Sequence, residues 1–124
     1  MKCKRLVLLC GILLTTLLLV TCFSLITRTT PVQASIFEKI ANYTITTTDA
    51  LSYIDCSGTF TVTLPDSLST GFQTTIINTG PGVITLNASI LYTTDASIKL
   101  TDRYAAASAL HKGSGTWFAF GNLK

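Results

Sequence analysis

A regular alternation of polar and apolar residues recurs after residue 42 and constrains the fold of this chain more than any other feature. Residues 59–64 read Thr-Phe-Thr-Val-Thr-Leu, and residues 43–48 alternate in the same way. Successive side chains of an extended strand point to opposite faces, so this pattern predicts strands with one buried and one exposed face. The further strand candidates are 51–56, 72–78, 83–86, 90–92, 97–100, 104–112 and 116–120.

Short turn segments separate these candidate strands. Residues 78–82, Asn-Thr-Gly-Pro-Gly, offer two glycines for positive φ and a proline of fixed φ, and Ser57-Gly58 and residues 113–115 have hairpin spacing. Many short strands at this spacing predict an all-β fold: a small antiparallel sandwich, prism or barrel-like module. We expect a short helix or linker before it, at 35–41, and we detect no internal repeat in the sequence.

The N-terminal segment predicts export. Residues 6–26 carry no charge and follow Lys2, Lys4 and Arg5, which is the pattern of a secretory signal. Residues 32–34, Val-Gln-Ala, place small residues where a signal peptidase requires them and predict cleavage after Ala34. The apolar run is also long enough to cross a bilayer at about 1.5 Å per residue, so an uncleaved anchor is the alternative.

These patterns divide the chain into a signal peptide or signal anchor at 1–34, a linker at 35–42 and an all-β module at 43–124. The excess of cations before the apolar run places everything after it outside the cytoplasm. We therefore expect a secreted or cell-surface protein, with membrane contact only through an uncleaved leader.

The charge distribution argues against a nucleic-acid partner. Charged residues make up 12% of the chain, and after Ala34 five lysine and arginine side chains face six acidic ones. Proteins that bind phosphate backbones normally present a basic stripe, which this sequence lacks.

Residues that could perform catalysis or hold a metal are scarce. His111 is the single histidine, no Gly-x-Ser-x-Gly motif occurs, and the one histidine and one cysteine that follow the leader cannot supply a metal site. We interpret His111 as a surface or edge residue. The aspartates lie in or beside turns, where this residue usually caps its own backbone: Asp49, Asp55, Asp66, Asp95 and Asp102. We expect no enzymatic activity and no cofactor.

Cys56 is the one cysteine after the leader, so no disulfide can form within the module. We interpret it as a small buried residue at a strand end, with a reactive thiol or a bridge between chains as alternatives. The low charge also leaves few residues to protect open strand edges, which favours self-association.

Aromatic residues are concentrated near the C-terminus. Trp117, Phe118 and Phe120 place rings on both faces of one predicted strand, which indicates core on one face and a subunit contact on the other. A carbohydrate platform is the alternative, because sugars stack on exposed rings. Tyr104 joins these three as a possible glycan or subunit contact.

Five segments of the chain, taken in order, carry a family resemblance. They are 41–50 (ANYTITTTDA), 59–65 (TFTVTLP), 71–86 (ending in IINTGPGVITL), 104–112 (YAAASALHK) and 116–123 (TWFAFGNL). This order resembles a small all-β module of phage tail fibres and collagen-like surface proteins. The resemblance implies a trimeric distal or capping module of structural and adhesive proteins, without catalytic residues. A leader is present and a fibre shaft is absent, which favours a stand-alone exported protein of a bacterium.

Together these observations predict an exported, non-enzymatic structural or adhesive β module that associates with copies of itself. A small glycan-binding, lectin-like domain is the alternative function.

Overall fold

The computed structural model describes residues 31–124, in which Ala34–Lys124 form one compact unit. The predicted apolar run at 6–26 and its flanking cations lie outside the described residues. The predicted cleavage site after Ala34 lies in an exposed segment without regular structure and stays a prediction. No helical turn in residues 31–124 has the length and hydrophobicity of a membrane span.

Ten strands and one single-turn 3-10 helix make up the unit. The strands are β1 Ile36–Lys39, β2 Tyr43–Thr44, β3 Tyr53–Cys56, β4 Phe60–Thr63, β5 Gln73–Asn78, β6 Ile84–Asn87, β7 Ile90–Thr93, β8 Lys99–Leu100, β9 Ala106–Gly113 and β10 Thr116–Gly121, and the 3-10 helix is Thr47–Asp49. The predicted all-β class is confirmed. The segment 104–112, whose alanines also suit a helix, contains most of β9.

The strands form two sheets, and the first nine strands alternate between them. One sheet has the order β1-β3-β5-β9-β10-β7 and the other β2-β4-β6-β8. Because β3 stacks parallel on β1 and β5 on β3, while β4 stacks in the same way on β2 and β6 on β4, the chain from β1 to β6 winds like a short solenoid. The last four strands complete the two sheets, and β9 and β10 form an antiparallel hairpin.

The expected antiparallel arrangement is wrong for most of the fold. Five of the eight strand pairings are parallel. The alternation of residues determines which face of a strand is buried but not the direction of its neighbour. Residues 113–115 do form a hairpin, whereas Ser57-Gly58 is a corner that carries the chain from one sheet to the other.

The glycines of 78–82 serve close packing rather than positive φ. Gly80 and Gly82 have no positive φ. A Cβ on Gly82 would lie 2.2 Å from the carbonyl oxygen of Gly58, and one on Gly80 would lie 2.8 Å from Oγ of Ser57. The corner between β5 and β6 therefore stacks directly on the corner between β3 and β4, and only glycine fits there.

Two further expectations fail near the start of the module. The segment 35–41, expected as a short helix or linker, contains β1, which pairs with β3. The strand predicted over 43–48 ends at Thr44, and a 3-10 turn follows. Asp49 causes this change, because its buried carboxylate accepts hydrogen bonds from the Thr46 amide and the Tyr43 hydroxyl, at 2.7 and 2.8 Å.

The core lies between the two sheets and follows the alternation. Phe60 and Val62 on β4 are buried, while Thr61 and Thr63 between and after them are half-buried. Parallel register stacks like on like: Ile54 pairs with Ile76, and Val62 with Leu86. No disulfide is needed to hold this arrangement, because apolar contacts continue from strand to strand.

Candidate functional site

The C-terminal strand β10 separates the aromatic residues onto opposite sides of the larger sheet. Trp117 and Ala119 point into the core, whereas Phe118 and Phe120 point outward. On the edge strand β7, Tyr92 pairs with Phe118 and points the same way. We call the outward surface formed by Tyr92, Phe118 and Phe120 the aromatic face.

The three rings of the aromatic face form a continuous row. The ring centroids of Tyr92 and Phe118 are 5.7 Å apart, and those of Phe118 and Phe120 are 6.2 Å apart with the planes 25° from parallel. Tyr92 and Phe120 are 58% and 55% exposed. Nζ of Lys112 lies 5.7 Å from the ring centroid of Phe118, which is the middle ring of the row. The row is therefore an apolar surface that is open to solvent, most of all at Tyr92 and Phe120.

The rest of the same sheet surface carries little charge. Exposed Ile36 and Tyr53 extend it at the β1–β3 end of the sheet. Its charged side chains sit near its ends: Glu38 and Asp55 on β1 and β3, and Lys112 near the end of β9. The aromatic face thus lies at the β10–β7 edge of a sheet surface that carries few charges.

Trp117 does not belong to this surface. It is fully buried, its ring meets Phe72 edge-on at 6.1 Å, and its Nε1 donates to the Pro65 carbonyl oxygen at 3.3 Å. The core interpretation is confirmed for Trp117, and the carbohydrate platform is wrong for it, because a sugar needs an exposed ring face.

Tyr104 is not brought together with the other predicted contact residues. It lies in the turn before β9 with φ at +67°, is 69% exposed, and has the Arg103 guanidinium 5.0 Å from its ring centroid. The structure therefore places Phe118 and Phe120 next to Tyr92. The sequence predicted a strand at Tyr92 but did not indicate it as a contact residue.

His111 is buried, which contradicts its interpretation as an edge residue. Its ring lies 4.7 Å from that of Trp117, and its Nδ1 is 3.3 Å from the Ser69 carbonyl oxygen. Nε2 has no hydrogen-bond partner within residues 31–124 and no access to solvent. A histidine in this position cannot take a proton from a substrate in solution.

Cys56 is buried at the end of β3, as the sequence indicated. Burial, together with the neighbouring Asp55 carboxylate, raises the pKa of the thiol to about 12, against the smaller opposing effect of Lys39. The thiolate, which is the reactive form, is therefore disfavoured. Neither a reactive thiol nor a bridge between chains is compatible with this position.

An open groove of about 540 Å³ is the feature that the sequence analysis missed. It lies between the loop after β4 and the turn after β6, and its lining residues are Thr63, Leu64, Pro65, Asp66, Ser67, Asn87, Ala88 and Ser89. Asp66, interpreted as a residue that caps its own turn, instead accepts a hydrogen bond on Oδ2 from the Ser89 hydroxyl at 2.7 Å. These two residues are 23 positions apart, so no local motif could reveal the contact.

The aspartates and histidine do not assemble a cation site in the described part of the chain. Within residues 31–124, no three His, Cys, Asp or Glu side chains lie close enough together to hold a metal ion. Several of the aspartates instead accept hydrogen bonds from hydroxyl groups: Asp49 from Tyr43, Asp55 from Thr79 and Asp66 from Ser89.

Comparison with known proteins gives no relative for this chain: no family model, no curated protein and no solved structure matches it. The resemblance to tail-fibre modules stays a prediction.

Proposed function

We propose that this chain is an exported, non-enzymatic β module that associates with copies of itself and serves a structural or adhesive role at a surface. The observation that carries the proposal is the aromatic face, an exposed row of rings on an almost uncharged sheet. Contiguous apolar patches of this kind are rare on monomeric proteins and mark sites of association.

The composition of the surface supports a contact between proteins. Interfaces are enriched in aromatic residues and depleted of charge at their centre, with polar groups at the rim. Tyr92, Phe118 and Phe120 provide an aromatic patch without a charged side chain of its own, and Glu38 and Asp55 lie on the distant strands β1 and β3. The family resemblance implies three copies, and we take the trimer as the expected assembly.

The ring geometry favours this contact over a sugar platform. Phe118 and Phe120 are stacked on one another, so part of each ring face is already covered. Sugars stack on free ring faces, whereas a protein surface can pack against both edges and faces.

Two observations support a role without catalysis. The single histidine is buried against Trp117 and cannot act as a general base for a solvent-exposed nucleophile. The groove beside Asp66 pairs the Ser89 hydroxyl with a carboxylate, but its lining residues include no histidine or lysine that would complete a nucleophile–base arrangement.

The mass of the module in solution tests self-association. Residues 35–124 should sediment as a trimer, and the double variant Tyr92→Ser/Phe120→Ser should sediment as a monomer with an unchanged circular dichroism spectrum. Tyr104→Ser is the matched control, since it removes an equally exposed tyrosine outside the aromatic face. A monomeric wild type, or a double variant that keeps the wild-type mass, contradicts the proposal.

Export is tested on the full chain. Expressed in a bacterium with its leader, the protein should appear outside the cytoplasm, and N-terminal sequencing should begin at Ser35 if the leader is cleaved. Protein that stays in the membrane with the module accessible to external protease supports the anchor. Retention of the module in the cytoplasm contradicts both.

A further inference from the structure

The groove beside Asp66 has the size and the lining of a site for a small polar ligand. Its volume of about 540 Å³ falls within the range of roughly 300–1,000 Å³ that is usual for ligand sites. Its lining residues include Thr63, Ser67 and Asn87, which carry hydroxyl and amide groups, together with the small apolar residues Pro65 and Ala88. This mixture of hydrogen-bonding groups and C–H surfaces matches the surface of a sugar ring.

The carboxylate of Asp66 is held in place from two sides. The Ser89 hydroxyl donates to Oδ2 at 2.7 Å. On the other side lies the β9–β10 hairpin turn, where a Cβ on Gly115 would come 2.8 Å from Cγ of Asp66. A carboxylate can accept about four hydrogen bonds, so the bond from Ser89 leaves capacity for a ligand.

The loop that carries Asp66 is also tied to the core. The indole of buried Trp117 donates to the carbonyl oxygen of Pro65, the residue before Asp66. At the far end of the loop, Gly113 packs so closely that a Cβ there would lie 2.7 Å from Oγ1 of Thr70. A binding group that is already fixed in position loses little entropy when a ligand arrives.

The charge of the groove selects the class of ligand. Asp66 is the single charged residue among those that line it. A fixed negative charge repels phosphates and acidic sugars, whereas the hydroxyls of a neutral sugar donate to a carboxylate in charge-assisted hydrogen bonds. A cationic ligand would also be attracted to Asp66, so a cation is the competing ligand in the test below.

We propose that this groove binds one unit of a neutral saccharide, with vicinal hydroxyls of the sugar donating to the Asp66 carboxylate. The inference rests on the adhesive part of the proposed function, for which it names a ligand class and a site. It does not depend on self-association through the aromatic face.

Saturation-transfer NMR on the full chain tests the proposal. The protein is kept in a detergent without a sugar headgroup, and the probes are the methyl glycosides of glucose, galactose, mannose and N-acetylglucosamine. At least one glycoside should receive saturation from the protein. In Asp66→Asn its affinity should fall by about tenfold or more, the scale of one lost hydrogen bond to a charged group.

Two further variants separate binding from folding. Asp95→Asn removes an equally negative, exposed side chain from another turn and should leave affinity unchanged. Ser89→Ala keeps the carboxylate but removes the hydroxyl that holds it, and should weaken binding by a smaller factor. Each variant is accepted only if its circular dichroism spectrum matches the wild type.

Three results would overturn the saccharide site: no glycoside receives saturation, Asp66→Asn binds as well as the wild type, or lysine methyl ester binds while the glycosides do not. The sedimentation mass of Asp66→Asn is measured in parallel and should equal that of the wild type. If the wild type assembles but binds no sugar, the saccharide site is wrong. If it binds sugar but does not assemble, self-association through the aromatic face is wrong.

Discussion

The two sides of the larger sheet use the same residue types for different purposes. On the inner side, Trp117 packs between Phe72 and His111 and has its indole nitrogen bonded. On the outer side, Phe118 and Phe120 contact each other and leave more than half of Phe120 exposed. Of the neighbouring aromatic residues on β10, the inward one therefore stabilises the core and the outward ones are available for contact. The position of each residue in the alternation determines its role.

The largest expected effect tests this division directly. Trp117→Ala should lower the free energy of unfolding by about 3–5 kcal/mol, because it leaves a cavity in a fully buried site. Phe120→Ala should lower it by about 1 kcal/mol or less, since its ring is 55% exposed. The measurement is denaturant unfolding of residues 35–124, at a concentration where all proteins are monomeric.

Trp117→Phe serves as the control, since it keeps an aromatic ring in the core. Its loss of unfolding free energy should lie between those of Trp117→Ala and Phe120→Ala. Equal losses for Trp117→Ala and Phe120→Ala would show that the outer ring contributes to the core after all, and the division between the two sides would be wrong.

The sequence predicted most of the strands because alternation is a local property. Strand β4 can be recognised from the sequence because Phe60 and Val62, at every second position, define its buried face. The same rule shows that Trp117 and Phe118 lie on opposite faces. It does not show which face is inside. That depends on β9, whose small buried residues Ala107 and Ala109 line the core side.

The direction of strand pairing and the groove could not be predicted, because both depend on residues far apart in the chain. Ser57-Gly58 resembles a hairpin turn when it is considered alone. Its role as a corner is fixed by Gly82, which stacks on Gly58 from the next winding. The bond between Ser89 and Asp66 likewise forms only once the loops after β4 and β6 are side by side.

The second-largest expected loss of stability comes from the stacked corners at Gly58 and Gly82, which lie between the two sheets in sequence and on neither side of the larger sheet. Gly82→Ala should destabilise the fold by about 1–3 kcal/mol, because the new methyl group would overlap the Gly58 backbone and force the two corners apart. Pro81→Ala, at the exposed position next to it, should have a much smaller effect in the same unfolding experiment. If Gly82→Ala is as stable as the wild type, the corners do not stack as closely as described.

A third test measures how the stability of the fold depends on pH through Cys56, a buried residue of β3. The Cys56 thiol has its pKa raised from 9.0 to about 12, so the folded protein holds the proton more tightly than the unfolded chain. Below about pH 9 both states are protonated and the thiol has no effect on stability. Between pH 9 and 12 the unfolded chain loses the proton first, so stability should fall by at most about 1.4 kcal/mol per pH unit.

The matched comparison is Cys56→Ala, which shares every other titrating group of residues 35–124. The stability advantage of the wild type over this variant should shrink as the pH rises from 8 to about 10.5. Parallel curves for the two proteins would contradict the burial of the thiol in the folded state.

The smallest effect concerns the one cation that lies over the aromatic face. Nζ of Lys112 is 5.7 Å from the Phe118 ring centroid, an exposed cation–π contact worth about 0.5–1 kcal/mol. Lys112→Gln should therefore change the stability of the monomer by no more than this, while Lys99→Gln, on the other sheet, should not change it. In the assembled protein the same substitution removes an exposed charge from the contact, and such charges act on the rate of association more than on its strength. A strong loss of monomer stability in Lys112→Gln would instead show that the outer side contributes to the fold, and the separation between an inner side that stabilises and an outer side that binds would no longer hold.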